Sequence, residues 1–220
     1  MRSSLRCFFF DIRLRRFLIT EPTKTSQKDF VARKSFGDLG YHSILAYAQG
    51  MTQKQVYSVV SVHDGFEVRR YDDCVLVQVV ARGEFMAAGN NAFGSLLSFI
   101  SGNNARRQKI AMTAPVIQQP LGSNQHVISF VMPADFNADD TPAPLNSVLS
   151  IKPVPAHLAA ARAFKGSWNA ARFEAEGEAL LASVAKAGLP SKGSLYWSRF
   201  DPPFKPGFLK HNEVLIDLEN

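Results

Sequence analysis

The sequence predicts an α+β fold in which one structural unit occurs twice. Segments that alternate apolar and polar residues, as half-buried strands do, occur in pairs. Between the pairs lie two stretches whose apolar residues recur every three or four positions, as on one face of a helix. Each half therefore consists of a strand pair, a helix and a second strand pair, and the first half has one additional strand near its start.

The first half contains five predicted strands and one helix. The strands are expected at residues 56–62, 66–71, 74–82, 109–118 and 126–132. Asp64-Gly65 is the kind of turn that joins two strands in a hairpin. The helix follows from the spacing of Phe85, Gly89, Phe93, Leu96, Leu97 and Ile100, and the sequence Ser101-Gly102-Asn103-Asn104 is expected to end it.

The second half follows a proline-containing loop over residues 133–146. Its strands are expected at residues 147–154, 158–164, 194–199 and 213–218. Its helix carries a stripe formed by Phe173, Gly177, Leu180, Leu181 and Val184, and ends at Gly188 and Pro190. Two such halves can join their sheets and leave a cleft between helix and sheet, which is a common place for a ligand.

The positive charge of the chain is concentrated in an N-terminal extension, residues 1–50. The net charge is +6, and these residues hold 9 Lys and Arg against 4 Asp and Glu, whereas the rest hold 16 against 15. The predicted domain, residues 51–220, therefore lacks the basic surface of a nucleic-acid-binding protein. Three explanations of the extension remain open: a disordered leader or a start assigned upstream of Met51, a targeting peptide, or a structural arm.

Neither of the two cysteines belongs to a metal motif. Cys7 and Cys74 form no CxxC pair and no Cys/His cluster, so a zinc site is not expected. Two isolated cysteines fit a reducing compartment, and we predict a cytoplasmic location, or an organelle if residues 1–50 are a transit peptide. No apolar run reaches the ~20 residues that span a bilayer, so a transmembrane segment is not expected.

Three motifs occur in order along the predicted domain. The first is FEVRRY at residues 66–71, with the pattern E-x-R-x-Y. The second is KIAMTAPV at residues 109–116. The third is FDPPFKPGFLKHNEV at residues 200–214. Together they resemble the SOUL haem-binding family over about residues 55–218.

This resemblance implies a fold and a ligand. The fold is a distorted antiparallel β-barrel of about eight to nine strands with two helices, similar to bacterial effector-binding domains. The ligand is haem or a related tetrapyrrole, held in a shallow apolar cleft beside the first helix by a carrier, buffer or sensor. By the same resemblance Phe93 and Leu97 are expected to line the cleft and Lys205 to meet a propionate. Arg106, Arg107 and Lys109 are further candidates for the propionates.

The iron ligand stays unknown. Some relatives carry a histidine just before the tyrosine of the first motif, but this chain has Arg70 there, and a guanidinium has no lone pair for a metal. The histidines of the domain are expected at turns, strand ends and the third motif: His63, His126, His157 and His211. Met112 is expected to be a core residue in a strand. The cleft therefore need not supply an axial ligand.

Two other functions remain open. No GxSxG, HExxH or P-loop motif indicates an enzyme, and we predict none. A hydrolase acting on a small amphiphile would need a carboxyl group with a raised pKa in the cleft, for which Glu67 and Glu213 are the candidates. An effector-binding module for other hydrophobic small molecules is the second alternative. A cleft with apolar walls and a basic rim favours the tetrapyrrole binder. The sequence gives no indication of oligomeric state.

Overall fold

Nine strands and two helices form the part of the chain that the structure, a computed structural model, describes, residues 52–219. The prediction for residues 1–50 lies outside it. The strands are β1 (Tyr57–His63), β2 (Phe66–Tyr71), β3 (Cys74–Arg82), β4 (Val116–Pro120), β5 (Gln125–Val131), β6 (Leu149–Val154), β7 (His157–Lys165), β8 (Ser191–Arg199) and β9 (His211–Leu218). The helices are α1 (Phe85–Ile100) and α2 (Ala170–Lys186), and a short 3-10 turn spans Gly207–Leu209.

The strands form one antiparallel sheet in the order β1-β2-β7-β9-β8-β4-β5-β3-β6. If β1 is set aside, each strand of one half can be exchanged for its counterpart: β2 for β6, β3 for β7, β4 for β8 and β5 for β9. After this exchange, the strand order read from one end of the sheet equals the original order read from the other end. The predicted repeat of two pseudo-symmetric halves is therefore confirmed, with the pseudo-axis between β4 and β8.

The sheet curls towards a barrel but is not closed. Among the described residues, β1 pairs only with β2, and β6 pairs only with β3. Nevertheless Tyr57 of β1 and Val154 of β6 line the same hollow, so the two edges of the sheet approach each other. The predicted α+β class, strand number and helix number are confirmed, whereas the barrel stays open between these edges.

Alternation along the strands gives the sheet two different faces. In β9, Val214 and Ile216 pack in the core cluster that contains α2, whereas Leu215 lines a hollow on the face without helices. The core around α1 includes Leu96 and Phe99, which are almost fully buried. Burial of one such side chain stabilises a fold by about 1.5–3 kcal/mol. The helices are therefore held against one face, and the other face is left to line a cavity.

The predicted helix stripes are confirmed with two differences. In α1, Phe93 and Leu97 are only half-buried, because they lie at the margin of the stripe. In α2, Leu181 is exposed, because the buried stripe runs through Phe173, Gly177, Leu180 and Val184. Asn169 caps α2 by accepting a hydrogen bond from the Arg172 backbone N–H. Neither helix of the described part is long and apolar enough to cross a membrane.

The fourth strand begins later than predicted. β4 starts at Val116 and not at residue 109. Ala114 instead exchanges backbone hydrogen bonds with Gln53 and Gln55, and the Thr113 hydroxyl donates to the Val131 carbonyl. These bonds hold the segment in front of β4 outside the ladder. The prediction that Met112 lies in a strand was therefore wrong.

Candidate ligand-binding site

A hollow of about 250 Å³ lies beside the first half of α1, and we call it the cleft. Most of its lining is apolar or aromatic: Gly89, Phe93, Met112, Val116, Trp168, Pro202, Pro203 and Phe204. The polar and charged lining residues are Asn90, Arg199 and Asp201. Pockets that enclose a drug-sized ligand usually measure about 300–1,000 Å³. A macrocycle in this cleft would therefore extend beyond it.

Gly89 makes room for a charged group inside the cleft. A Cβ atom on this helical glycine would lie 2.9 Å from Nη2 of Arg199 and 3.3 Å from Oε1 of Gln118. These separations are too short for an unshifted side chain. The glycine therefore allows α1 to pass directly over the Arg199 guanidinium.

Arg199 is buried in the wall of the cleft, with 6% of its surface exposed. Its Nη2 donates to Oε1 of Gln118 at 2.8 Å, and Gln118 in turn donates to the Phe85 carbonyl at 2.9 Å. The guanidinium carbon lies 5.8 Å from the centroid of the Phe85 ring and 5.2 Å from that of the Trp168 ring. Arginine stays protonated in proteins, so the cleft contains a positive charge. Sequence reasoning missed this residue.

A second cation, Lys210, lies close to the cleft. Its ammonium is 3.8 Å from the centroid of the Trp168 ring and donates to the Pro203 carbonyl at 2.9 Å. Burial, followed by the charge of Arg199, lowers the pKa of Lys210, although Asp201 opposes the shift. Two cations, Arg199 and Lys210, therefore lie next to the Trp168 ring, and the attraction between a cation and an aromatic ring favours this arrangement.

A second hollow adjoins the cleft and shares Phe204 with it. It measures about 500 Å³, and Asp201, Pro202 and Phe204 line both hollows. Lys205 lines the second hollow and donates to Oδ1 of Asp201 at 2.6 Å. Phe93 in the cleft and Lys205 in the second hollow thus line neighbouring hollows that share Phe204.

Four other predicted site residues line neither hollow: Leu97, Arg106, Arg107 and Lys109. Leu97 lies one helical turn beyond Phe93, towards the end of α1. Arg106 donates to the backbone carbonyls of Asp139 and Asp140. The side chain of Lys109 lies beside Gly102, just beyond the end of α1. Leu97, Arg106 and Lys109 would meet a ligand only where it extends along α1.

The residues considered as iron ligands are spread over the fold. His211 lines the second hollow, where its Nε2 lies 3.0 Å from Oε1 of Glu213. His63, His126 and His157 line neither hollow. Met112 is half-buried and lines the cleft. Arg70 is exposed on β2.

Two of the three motifs meet on the face without helices. Arg69 of E-x-R-x-Y forms a two-pronged pair with Glu213 of N-E-V, with Nη–Oε distances of 2.8 and 3.2 Å. It also donates to Glu67 at 2.8 Å and to the Tyr71 hydroxyl at 3.2 Å. β7 separates the strands of this pair, and its residue opposite Glu67 is Ala161, whose small side chain leaves room for the two long ones.

This network borders a third hollow of about 110 Å³, which Tyr71, Cys74 and Glu213 help to line. Burial alone would raise the pKa of Glu213, but hydrogen bonds from His211 and Arg69 and the charge of Arg69 outweigh burial and lower it. Burial, followed by the charge of Asp73, raises the pKa of Cys74 to about 11. Glu213 is therefore held as a carboxylate and Cys74 as a thiol.

Comparison with solved structures shows similarity of fold. The EcmrR C-terminal domain matches with a TM-score of 0.56 and 12% identity, over 75% of this chain and 99% of that chain. EcmrR in a cryo-EM complex with DNA matches with a TM-score of 0.55 and 13% identity, over 70% and 57%. A hydrolase from Listeria innocua matches with a TM-score of 0.46 and 10% identity, over 73% and 94%. No curated protein matches the chain significantly.

Comparison with family models gives one match that spans most of the chain. The model described as "SOUL heme-binding protein" matches residues 52–217. This range includes all three motifs, the cleft and the ion-pair network of Arg69 and Glu213. The chain therefore belongs to the SOUL haem-binding protein family.

Proposed function

We propose that the protein binds haem or a related tetrapyrrole in the cleft beside α1, as a carrier, buffer or sensor and without catalysis. The observation that carries this proposal is the pairing of an apolar cleft with the buried guanidinium of Arg199. A flat macrocycle with carboxylate groups needs both features, since its rings require apolar contact and its carboxylates require cations. Family membership supports the same ligand class.

The described residues suggest how such a ligand would be held. Phe93, Val116 and Phe204 offer surfaces for the macrocycle, and Arg199 offers a partner for an inner carboxylate. Lys205 offers one for an outer carboxylate. A hydrogen bond to a charged group contributes about 1.5–3 kcal/mol, whereas an exposed ion pair contributes about 0–1 kcal/mol. Arg199 is therefore the stronger of the two proposed carboxylate partners.

The geometry favours this function over a hydrolase. Glu67 and Glu213, the candidate acids, both bind Arg69, and Glu213 lines the third hollow, not the cleft. The pKa of Glu213 is lowered, whereas a general acid in an apolar cleft needs a raised one. The cytoplasmic location remains a prediction.

A titration of the full chain with haemin, followed by Soret absorbance, tests the proposal. We expect a saturable shift, and weaker binding of haemin dimethyl ester than of haemin. Arg199→Met should bring the two affinities together, because it removes the inner partner of the carboxylate. Equal affinities of the wild type for haemin and its ester would show that Arg199 does not bind a carboxylate of the ligand. The absence of a saturable shift would refute tetrapyrrole binding.

The same titration with His211→Ala and Met112→Leu tests whether the iron needs a protein ligand. We expect both variants to bind haemin nearly as well as the wild type, since the ring faces and carboxylates supply the contacts. Loss of the Soret shift in one of them would identify an axial ligand. Several other hydrophobic ligands should be titrated beside haemin, because equal affinity for them would favour a general effector-binding module.

A further inference from the structure

The β8–β9 loop, residues 200–210, exposes three large apolar side chains within six positions. Phe204 is 61% exposed, Phe208 75% and Leu209 49%. Single exposed apolar residues are ordinary, but a cluster of them marks an interaction site. This cluster lies in the third family motif.

Hydrogen bonds and prolines fix the conformation of the loop, so the side chains are exposed although the backbone is well held. Lys205 and the His211 backbone N–H both donate to Asp201. Lys210 donates to the Pro203 carbonyl, and its own carbonyl accepts a hydrogen bond from Gly166. Proline restricts the backbone at positions 202, 203 and 206. The fold therefore fixes the loop with its phenyl rings outward.

The loop also borders both hollows, and the lining of the second hollow has one more lysine than it has carboxylates. Phe204 lines both the cleft and the second hollow. The charged residues in the lining of the second hollow are Lys54, Lys205 and Asp201, and Asp201 is paired with Lys205. Apolar rings beside cationic side chains match the two layers of a lipid surface, its acyl chains and its anionic headgroups.

We propose that this loop docks the protein onto anionic phospholipid bilayers. The rings of Phe204 and Phe208 and the Leu209 side chain enter the interface, and Lys54 and Lys205 face the headgroups. The contact itself needs no tetrapyrrole. Its purpose rests on the proposed function, because a lipophilic ligand that partitions into a bilayer can then enter the cleft directly past Phe204.

Two tryptophan reporters in the full, ligand-free chain test the contact. Phe208→Trp places a reporter in the loop, and Leu121→Trp places one after the end of β4 that lies away from Arg199. Leu121 is 53% exposed and Phe208 75%, so both reporters start at largely exposed positions. With vesicles of phosphatidylcholine and phosphatidylglycerol, we expect the added emission of Phe208→Trp to shift to the blue and to be quenched by brominated acyl chains. The added emission of Leu121→Trp should change little.

The double variant Phe204→Ser/Phe208→Ser tests the energetic role of the rings. We expect it to partition onto these vesicles at least about tenfold more weakly, because it buries less apolar area. Vesicles of phosphatidylcholine alone should bind the wild type less than mixed vesicles do. Unquenched emission from Phe208→Trp, or unchanged partitioning of the double variant, would overturn the proposal. Self-association that the double variant loses, without lipid quenching, would assign the surface to a second copy instead.

Transfer of haemin separates this proposal from the proposed function. The variant Phe208→Ser/Leu209→Ser keeps the cleft-lining Phe204. Relative to wild type, we expect it to take up haemin more slowly from vesicles but at an unchanged rate from solution. Vesicle binding without any Soret shift would retain the membrane contact and refute the tetrapyrrole ligand. Normal haemin binding without vesicle contact would retain the tetrapyrrole ligand and refute the membrane contact.

Discussion

Arg69 and Arg199 are both buried arginines, but they lie on opposite faces of one sheet and differ in what their surroundings allow. Arg69 makes four described side-chain hydrogen bonds, to two carboxylates and a tyrosine, and lines none of the three hollows described above. Arg199 binds the neutral amide of Gln118, stands beside two aromatic rings and lines the cleft. The first arginine joins strands, whereas the second lines the cleft. A buried charge is therefore a candidate ligand contact only where its own side chain lines a hollow.

Breaking the network of Arg69 should have the largest effect. Glu213→Ala leaves the Arg69 guanidinium buried without this carboxylate partner. Removing one partner of a buried ion pair costs about 3–5 kcal/mol of stability. We expect the free energy of unfolding, from urea titration, to fall by that amount. Glu178→Ala, at an exposed position in α2, is the matched control and should change it little. A loss no larger than that of the control would show that the network is dispensable.

Trimming the cleft should affect ligand more than fold. Phe93→Ser removes a half-buried ring, and deep apolar burial is worth about 1.5–3 kcal/mol per side chain. We expect haemin affinity to fall more than for Lys205→Ala, whose ion pair is worth about 0–1 kcal/mol. Absorbance titration of both folded variants measures the difference. A larger loss of affinity for Lys205→Ala than for Phe93→Ser would show that Lys205 contributes more to the binding free energy than the Phe93 ring does.

Acid should weaken the face without helices through Glu213. Its folded pKa lies below the ordinary value of 4.5, so its contribution to stability is present above that pH and is lost as the pH falls through the folded pKa. Each unit of lowering corresponds to about 1.4 kcal/mol. We expect the stability difference between wild type and Glu213→Gln to shrink below pH 4.5. A difference independent of pH would assign the stabilisation to packing and not to charge.

Two glycines of α1 give the smallest and most specific comparison. Gly89→Ala pushes against Arg199, and we expect haemin affinity to fall by about 1 kcal/mol, the typical worth of one hydrogen bond. Gly94 has open space around it. Gly94→Ala should leave affinity unchanged and stabilise the helix by about 0.5–1 kcal/mol. Thermal unfolding and haemin titration of both variants test this, and equal affinities would refute the role of Gly89.

Local patterns were sufficient to predict most of the fold. Alternation predicted the strands, three-to-four spacing predicted both helices, and Asp64-Gly65 predicted the first hairpin, which pairs His63 with Phe66. The start of β4 was not predictable, because it depends on the backbone hydrogen bonds that Ala114 donates to Gln53 and accepts from Gln55. Apolar spacing alone cannot indicate that the segment in front of a strand is held by distant residues.

The candidate site was predictable only for residues whose own position in the sequence indicates a role, and not for those that depend on residues distant in sequence. Phe93 lines the cleft, as the family resemblance implied, whereas its place on the helix stripe by itself indicated only a core residue. Arg199 follows Trp197 and Ser198 at the end of a strand, a pattern typical of a solvated charge. Its burial depends on Gly89, which is distant in sequence and lacks a Cβ atom. The pair of Arg69 and Glu213, 144 positions apart, is likewise visible only after folding.

The two helices share a spacing that suggests a use in protein engineering. A phenylalanine precedes a buried glycine by four positions in both, Phe85 before Gly89 and Phe173 before Gly177. Over Gly177 the space is filled by Leu195, whose Cδ1 would lie 2.7 Å from an added Cβ. Replacing Leu195 with a smaller residue would therefore open a new recess in the second half. A recombinant scaffold would then have one natural and one designed recess, each beside a helix glycine.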